Sequence, residues 1–316
     1  RERQSVTIGT IDEAYSIAGG NIHSLHSKNI GSLVIDENKI LSANAIEGAV
    51  IETDARDGEL FVNLTVKAGY RFDDPLHLCF GVLSPEAAQR INININTEEN
   101  SKVSLRAHCV FPNAVDVLHA MEARINIGPN SEYSYDETHY HGEKGRVRVV
   151  PNAKITLEDG ARLYNSFSLI QGAVGNMKFD YDIECLDNSV CHMLAKVYGK
   201  FDDDITIRER ARLKGANSHA ILEARMVIRD NARTDIYTEI IGEGDGARGH
   251  MDCTEIISGK TAYAKATPVV VVVNDKAKIT HEAAIGSIDS DQLNLLMSRG
   301  LSPDQATEII VNGLLK

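Results

Sequence analysis

The sequence predicts a mainly β chain, a solenoid of stacked coils followed by a helical segment at the C-terminus. Three observations carry this. Turn-type residues recur about every 14–15 positions through the middle of the chain, at Asn130, Gly145, Gly160, Gly175, Asn188, Asp203, Asn217, Asn231, Gly246, Gly259 and Asn274. Between them lie short runs that alternate apolar and polar residues, such as Lys154 to Glu158, Arg208 to Leu213, Ala224 to Ile228 and Asp235 to Ile241. After about residue 286 the apolar spacing changes from two to that of a helix.

Period-two alternation marks half-buried strands. Gly, Asn or Asp at each break provides the backbone freedom that a sharp corner needs. Two steps make about 29 residues, enough for one solenoid coil, and a fixed period is the signature of a repeat fold. A β-sandwich also spaces its strands regularly; persistence of the period over half the chain favours the solenoid.

Taken in order, Ile11 to Ala18 reads as a short helix inside an N-terminal segment, residues 1–31. The β core is expected over 32–285. Its first part, to about Asn130, is strand-like but less regular. Phe61 to Val66 and Ile91 to Asn96 alternate cleanly, and the second run carries Asn on one whole face, expected to be solvated although a ladder between coils is open to it. The helical segment is expected over 286–316. Asp289 or Ser290 can cap a helix to Arg299, with Gly300 as its stop. Ser302 then caps a second helix with Pro303 in its first turn. Leu293, Leu296, Met297, Ile309, Ile310 and Leu314 fall at helical spacing. The pair can serve as an end cap or present a face to a partner.

Composition narrows the function. The chain has 316 residues, 43% hydrophobic and 25% charged, with no Trp and a formal net charge of −12. That charge disfavours nucleic acid, and the basic stretch Arg208 to Lys214 is broken by Glu209. No run of about 18 apolar residues suggests a membrane span, and no signal peptide stands out. The chain begins with Arg1 rather than Met, so residues are expected to precede it. Five cysteines, an odd number, do not suggest a disulfide framework and fit a reducing cytoplasm. No C-x-x-C motif is present, so a cluster would need ligands from distant segments or a second chain.

Several motifs carry little. Gly242 to Gly246 holds two acids that would repel a phosphate, and Gly259-Lys260-Thr261 lacks the earlier glycine of a P-loop, Thr254 standing in its place. A Gly-x-Ser-x-Gly elbow is absent. A carbohydrate-active β-helix enzyme would need paired acids and aromatic platforms, which do not stand out. His23, His26, His77 and His119 show no partner spacing and are expected to be structural or surface residues.

Two constellations remain. Cys253 precedes His281 and Glu282 by about one coil, so stacking is expected to bring Cys253 and His281 together, with His281 and Glu282 on opposite faces of a strand. Thiolate, imidazole and carboxylate suit iron or a cluster; on residue type alone, a small buried cysteine and a hydrogen-bonded histidine is the commoner outcome. The second is Glu137, His139, His141 and Glu143. His139 and His141 share a face of one strand and can bind a transition metal or take a proton, whereas a solvated polar edge is the ordinary expectation.

The stretch His281-Glu282-Ala283-Ala284-Ile285-Gly286-Ser287-Ile288-Asp289, followed by Gln292-Leu293 and Ser298-Arg299-Gly300, resembles the C-terminal signature of the SufB/SufD family of iron–sulfur cluster assembly scaffolds. The resemblance covers roughly Glu132 to Gly313 and is strongest from Met251. It implies a right-handed parallel β-helix with a C-terminal helical domain. It also implies a cytoplasmic, non-enzymatic scaffold that works as a dimer, a homodimer here, with SufC-type ABC ATPase subunits docked on the C-terminal helices. A transient iron–sulfur cluster is implied at the dimer interface, with Cys253, His281 and Glu282 at the matching positions. A SufD-like adaptor holding no cluster is the alternative. One departure stands out: the Tyr-x-Glu-x-Cys segment of well-known bacterial SufB proteins reads Tyr135-Asp136-Glu137-Thr138-His139 here, with histidine in place of the sulfur-accepting cysteine. The chain is similar to a short, archaeal-type member that takes sulfide directly or works as the SufD-like half.

Overall fold

The computed structural model describes residues 8–142 and 146–315. The chain opens with α1 (Ile11–Ile17) and α2 (Ile22–Leu25). The early strands are β1 (Ser32–Asp36), β2 (Lys39–Asn44), β3 (Ala49–Arg56), β4 (Glu59–Val66), β5 (Leu76–Gly81), β6 (Glu86–Thr97) and β7 (Lys102–Phe111). The middle strands are β8 (Asp116–Ile127), β9 (Glu132–His141), β10 (Arg146–Leu157), β11 (Arg162–Gln171), β12 (Asn176–Cys185) and β13 (Val190–Gly199). Then follow β14 (Asp204–Leu213), β15 (His219–Arg229), β16 (Arg233–Gly242), β17 (Arg248–Ser258), β18 (Tyr263–Val272) and β19 (Lys278–Ser287), and finally α3 (Ser290–Ser298) and α4 (Pro303–Leu315).

From β4 onward, successive strands alternate between two sheets, and each pairs in parallel with the strand one coil away. One sheet runs β2-β1-β5-β7-β9-β11-β13-β15-β17-β19, the other β3-β4-β6-β8-β10-β12-β14-β16-β18. The result is a β-solenoid of about eight turns. Its interior is one continuous core of inward-facing Ile, Val, Leu, Ala and Phe, as a stack must be when each coil can bury its apolar face only against its neighbours.

The corners explain the periodicity. Asn100, Asn130, Gly160, Asn188, Asn217 and Gly246 all have positive φ and stack as one column. The N–H of each of the first five donates, at 2.8–2.9 Å, to the carbonyl just before the next corner: Pro129, Asp159, Asp187, Ala216 and Asp245. Asn and Gly recur because they tolerate the left-handed conformation. Elsewhere the expected corner residue is displaced. Phe201 and Asp230, rather than Asp203 and Asn231, take positive φ. Asp203 instead accepts hydrogen bonds from the N–H groups of Val174, Gly175 and Lys200. Asn274 makes a local side-chain turn onto Lys276 N, and Gly145 lies outside the described residues. The asparagines of β6 face outward and do form rungs, Asn94 onto Asn63 at 2.9 Å and Asn126 onto Asn96 at 3.2 Å.

The two ends differ. At the N-terminal end β2 folds back on β1 and β3 on β4, both antiparallel. α1, capped by Thr10, lays Ile11, Ala14 and Tyr15 on the outer face of β1, β5 and β7. At the C-terminal end β18 and β19 are edge strands without such a cover among the described residues. Val270, Val272, Val273 and Ile285 are exposed there.

The last helices start where expected. Asp289 accepts from the N–H groups of Asp291 and Gln292, and Ser302 and Gln305 form a reciprocal capping box. The buried stripe of α4 is Ala306, Val311 and Leu315 rather than Ile309. Val311 and Leu315 pack on Tyr198 and Val227 outside the sheet. Glu308 accepts from Tyr198 (2.7 Å) and Arg229 (3.1 Å). α3 buries no residue.

Candidate functional site

The first site lies at the open end. β17 points Gly249, Met251, Cys253 and Glu255 inward, and Cys253 is 1% exposed, with Thr238 Oγ1 3.9 Å from its sulfur. Burial, then the nearby carboxylates Glu209, Glu255 and Asp252, push its thiol up to about 11. The partner of Cys253 in β19 is Ala283, not His281; His281 pairs with Met251 and Glu282 with Asp252. The separation of 28 residues therefore falls two short of this coil, which spans 30 from Cys253 to Ala283. The turn after β17, Gly259 to Ala262, is one residue longer than Asp230 to Ala232 beneath it.

Since the offset is two, His281 keeps the face of Cys253 and sits diagonally above it, about 8 Å away along the pleat. Glu282 projects to the opposite, outer face, over Asp252. Asp252 is itself held by Arg225 at 2.6 Å. His281 and Glu282 are both exposed. The end of the solenoid thus offers one buried thiol and one accessible imidazole on the inward face of its last two coils.

Below Cys253 the interior turns polar. Glu255 bonds Thr234 through one oxygen, and its other oxygen has no partner among the described residues. Glu209 is wholly buried, and burial pushes its carboxyl up to about 8. Oε2 of Glu209 also lacks a partner among the described residues.

The second site is deep inside the N-terminal half. Glu137, His139 and His141 do share a face, but that face is the interior: they are 4%, 1% and 1% exposed, not a solvated edge. Glu143 lies outside the described residues. Cys109 of β7 is the in-register neighbour of His139, and His119 reaches in from β8 in the opposite sheet. Donor atoms of Cys109, His119, Glu137 and His139 all lie within 4.8 Å of one another. His139 Nε2 is 2.7 Å from Glu137 Oε1, and Cys109 Sγ is 3.3 Å from the same oxygen. Burial, then the His139 charge, hold His119 and His141 down to about 3, so both rings are neutral. Burial pushes Glu137 up, but the hydrogen bond and charge of His139 override it and hold the carboxyl below its usual range. His119, expected to be structural or at the surface, and Cys109 belong to this site. The available signal was the spacing of 30 between Cys109 and His139, one coil.

Glu137 and Cys253 occupy one interior column, through Phe167, Ala195 and Ala224. Four strand spacings separate the two sites by about 19 Å.

Residues 82–314 match the family model described as SUF system FeS cluster assembly, SufBD core domain. The chain is 36% identical to an iron–sulfur cluster assembly SufBD family protein of Methanocaldococcus jannaschii, over 90% of this chain and 89% of that one. It is 36% identical to one of Pyrococcus horikoshii, over 92% and 89%. A second Pyrococcus horikoshii family protein is 28% identical over 80% of this chain and 56% of its own length. No helix among the described residues is long and apolar enough to cross a membrane. With the solenoid, the exposed His281 segment and a match over most of its length, the chain belongs to the SufBD family of iron–sulfur cluster assembly proteins.

Proposed function

We propose that this chain is a cytoplasmic scaffold subunit on which a nascent iron–sulfur cluster is assembled between two copies, with SufC-type ABC ATPase subunits docked on the C-terminal helices. The observation that carries this is the uncapped C-terminal end of the solenoid, where exposed Val270, Val272 and Ile285 surround the strand pair holding Cys253 and His281. Unpaired edges and exposed apolar surface ask for a partner. A two-fold pairing of like edges supplies two thiols and two imidazoles, which one chain lacks. Iron binding at Cys253 must displace the thiol proton, because burial keeps the sulfur protonated. The second chain and the metal together then replace the missing solvent. Glu282, on the outer face, stands at the rim of such an interface.

The helix pair supports the ATPase assignment. α4 is anchored to the solenoid by Val311, Leu315 and Glu308, while α3 leaves Leu295 and Met297 exposed and α4 leaves Ile309 exposed. An anchored helix carrying a free apolar face can pass force to the sheet beneath it. Closure of two ATPase subunits on ATP would pull on α4 and rearrange the joined ends.

Anaerobic reconstitution with iron and sulfide tests the reading. The parent complex is expected to develop sulfur-to-iron charge-transfer absorption, and Cys253→Ala and His281→Ala are expected to lose most of it. Undiminished cluster in both variants would leave only the adaptor role. A complex mass without two copies of this chain would remove the interface.

A further inference from the structure

The hydrogen bonds around the interior histidines leave His139 Nε2 and Glu137 Oε1 facing each other as two acceptors, a pair that needs a proton or a metal ion. The Ala173 carbonyl can only accept, so His141 Nδ1 carries the hydrogen of their 2.8 Å bond. His141 Nε2 is then a lone pair, and His139 Nδ1, 3.2 Å away, donates to it. His139 is left with Nε2 as its acceptor nitrogen, 2.7 Å from Glu137 Oε1. Two acceptors do not face each other at that distance unless a proton or a metal ion joins them.

The opposite sheet supplies a matching donor. Gln89 Nε2 donates to the carbonyls of Glu37 and Gly81, which orients the amide so that its oxygen accepts from His119 Nδ1 at 2.8 Å. His119 is thereby fixed in the tautomer that leaves Nε2 as a lone pair. Gln89 and His141 each hold one ring by its far nitrogen, the arrangement that orients histidine ligands in metal sites. Phe111 and Phe167 lie against the imidazoles, with Phe167 4.9 Å from His139 between ring centres.

We infer that Cys109, His119, Glu137 and His139 form a mononuclear site for a divalent transition ion of borderline softness, zinc or ferrous iron, separate from the Cys253 end. One sulfur, two imidazole nitrogens and one carboxylate oxygen are the donors such ions take. Bond lengths of about 2.0–2.3 Å set tetrahedral donor–donor edges of about 3.3–3.8 Å. The 2.7 Å pair of His139 Nε2 and Glu137 Oε1 must open by about half an ångström, and donor atoms as far as 4.8 Å apart must close by about 1 Å. The charge balances in both states. Without metal, a proton shared by His139 and Glu137 offsets the carboxylate, and Cys109 is a thiol. On binding, that proton and the thiol proton leave to solvent, and the ion's two charges meet one thiolate and one carboxylate. A neutral site is the form that a dry interior tolerates.

The site is sealed, so the ion enters as the chain folds. The full chain is therefore expressed in cobalt-supplemented medium, washed with chelator and analysed for metal. About one cobalt per chain is expected, with cysteinate-to-cobalt charge-transfer absorption. The Cys253→Ala/His281→Ala double variant should retain both, which separates this site from the cluster reading. Cys109→Ser should lose the charge-transfer band, and Glu137→Gln should lower retained cobalt at least ~10-fold. A folded parent holding under about a tenth of an ion per chain would overturn the inference. So would an unchanged band in Cys109→Ser, or loss of cobalt from the double variant. Should the interior variants fail to fold, anomalous scattering from crystals of the cobalt-loaded parent decides: a peak at bonding distance from Cys109 Sγ supports the site, and its absence there refutes it.

Discussion

Glu209 makes the chain's stability fall as pH rises, and Glu209→Gln should remove that dependence. The side chain is wholly buried at 1% exposure, and one carboxyl oxygen has no hydrogen-bond partner among the described residues. Burial pushes its pKa from 4.5 to about 8. Because the folded value lies above the unfolded one, the folded chain holds a proton that the unfolded chain has released throughout that interval. Stability is then fully present below pH 4.5 and is lost at about 1.4 kcal/mol per pH unit until pH 8. Between pH 5 and 7.5 the loss comes to about 3 kcal/mol. For a chain of 316 residues the unfolding entropy near the midpoint is about 0.66 kcal/mol per degree, so this corresponds to about 4–5 °C. Glutamine keeps the shape and never ionises. Melting of parent and variant followed by circular dichroism at both pH values isolates the effect, because titration elsewhere is common to both. The gap should widen in favour of the variant by about 4–5 °C from pH 5 to 7.5. A gap of constant size, or one that narrows as pH rises, would refute a neutral buried Glu209.

Three further outcomes are expected. Gly175 has φ +78, and a Cβ there would lie 2.3 Å from the Val147 carbonyl oxygen, so Gly175→Ala should cost at least ~2 kcal/mol and lower the melting midpoint. Gly286→Ala, with no atom within 4 Å of its added carbon, should leave the midpoint unchanged, and equal effects from the two would contradict the corner argument. Val311→Asp or Leu315→Asp should free α4 from Tyr198 and Val227, speeding hydrogen exchange across Pro303–Leu315 while β15 stays protected; unchanged exchange in α4 would show that Glu308 alone moors it. Cys253, its thiol raised to about 11, should be alkylated about tenfold faster per pH unit between pH 7 and 9, read by mass spectrometry at that residue, whereas a plateau near pH 8.5 would mean an ordinary exposed thiol.

Much of the architecture was legible because its causes are local. Left-handed corners favour Asn or Gly, so Asn130, Gly160, Asn188, Asn217 and Gly246 mark the coil length in the sequence itself. Helix starts are equally local: Asp289, Ser302 and Pro303 sit where capping chemistry needs them. Strand alternation set His281 and Glu282 on opposite faces, and the register agrees. The apolar stripe of α4 was less legible. Ile309 and Val311 fit helical spacing equally well, and only the docked position on Tyr198 decides which one is covered.

The sequence by itself therefore determined the repeat, the strand faces and the caps, since each depends on residues within one coil or one helical turn. Tertiary structure decided what depends on register between coils. A coil of 30 residues between β17 and β19 sets His281 above Met251, two positions from the residue that a 28-residue spacing would choose, Cys253. It also decided which face of β9 is inside. Both faces of that strand are polar, Glu132, Ser134, Asp136 and Thr138 on one and Tyr135, Glu137, His139 and His141 on the other, so alternation carries no sign to tell core from solvent. The convergence of Cys109, His119, Glu137 and His139 lies beyond any local rule, because three strands from two sheets must close around the same interior before those side chains meet.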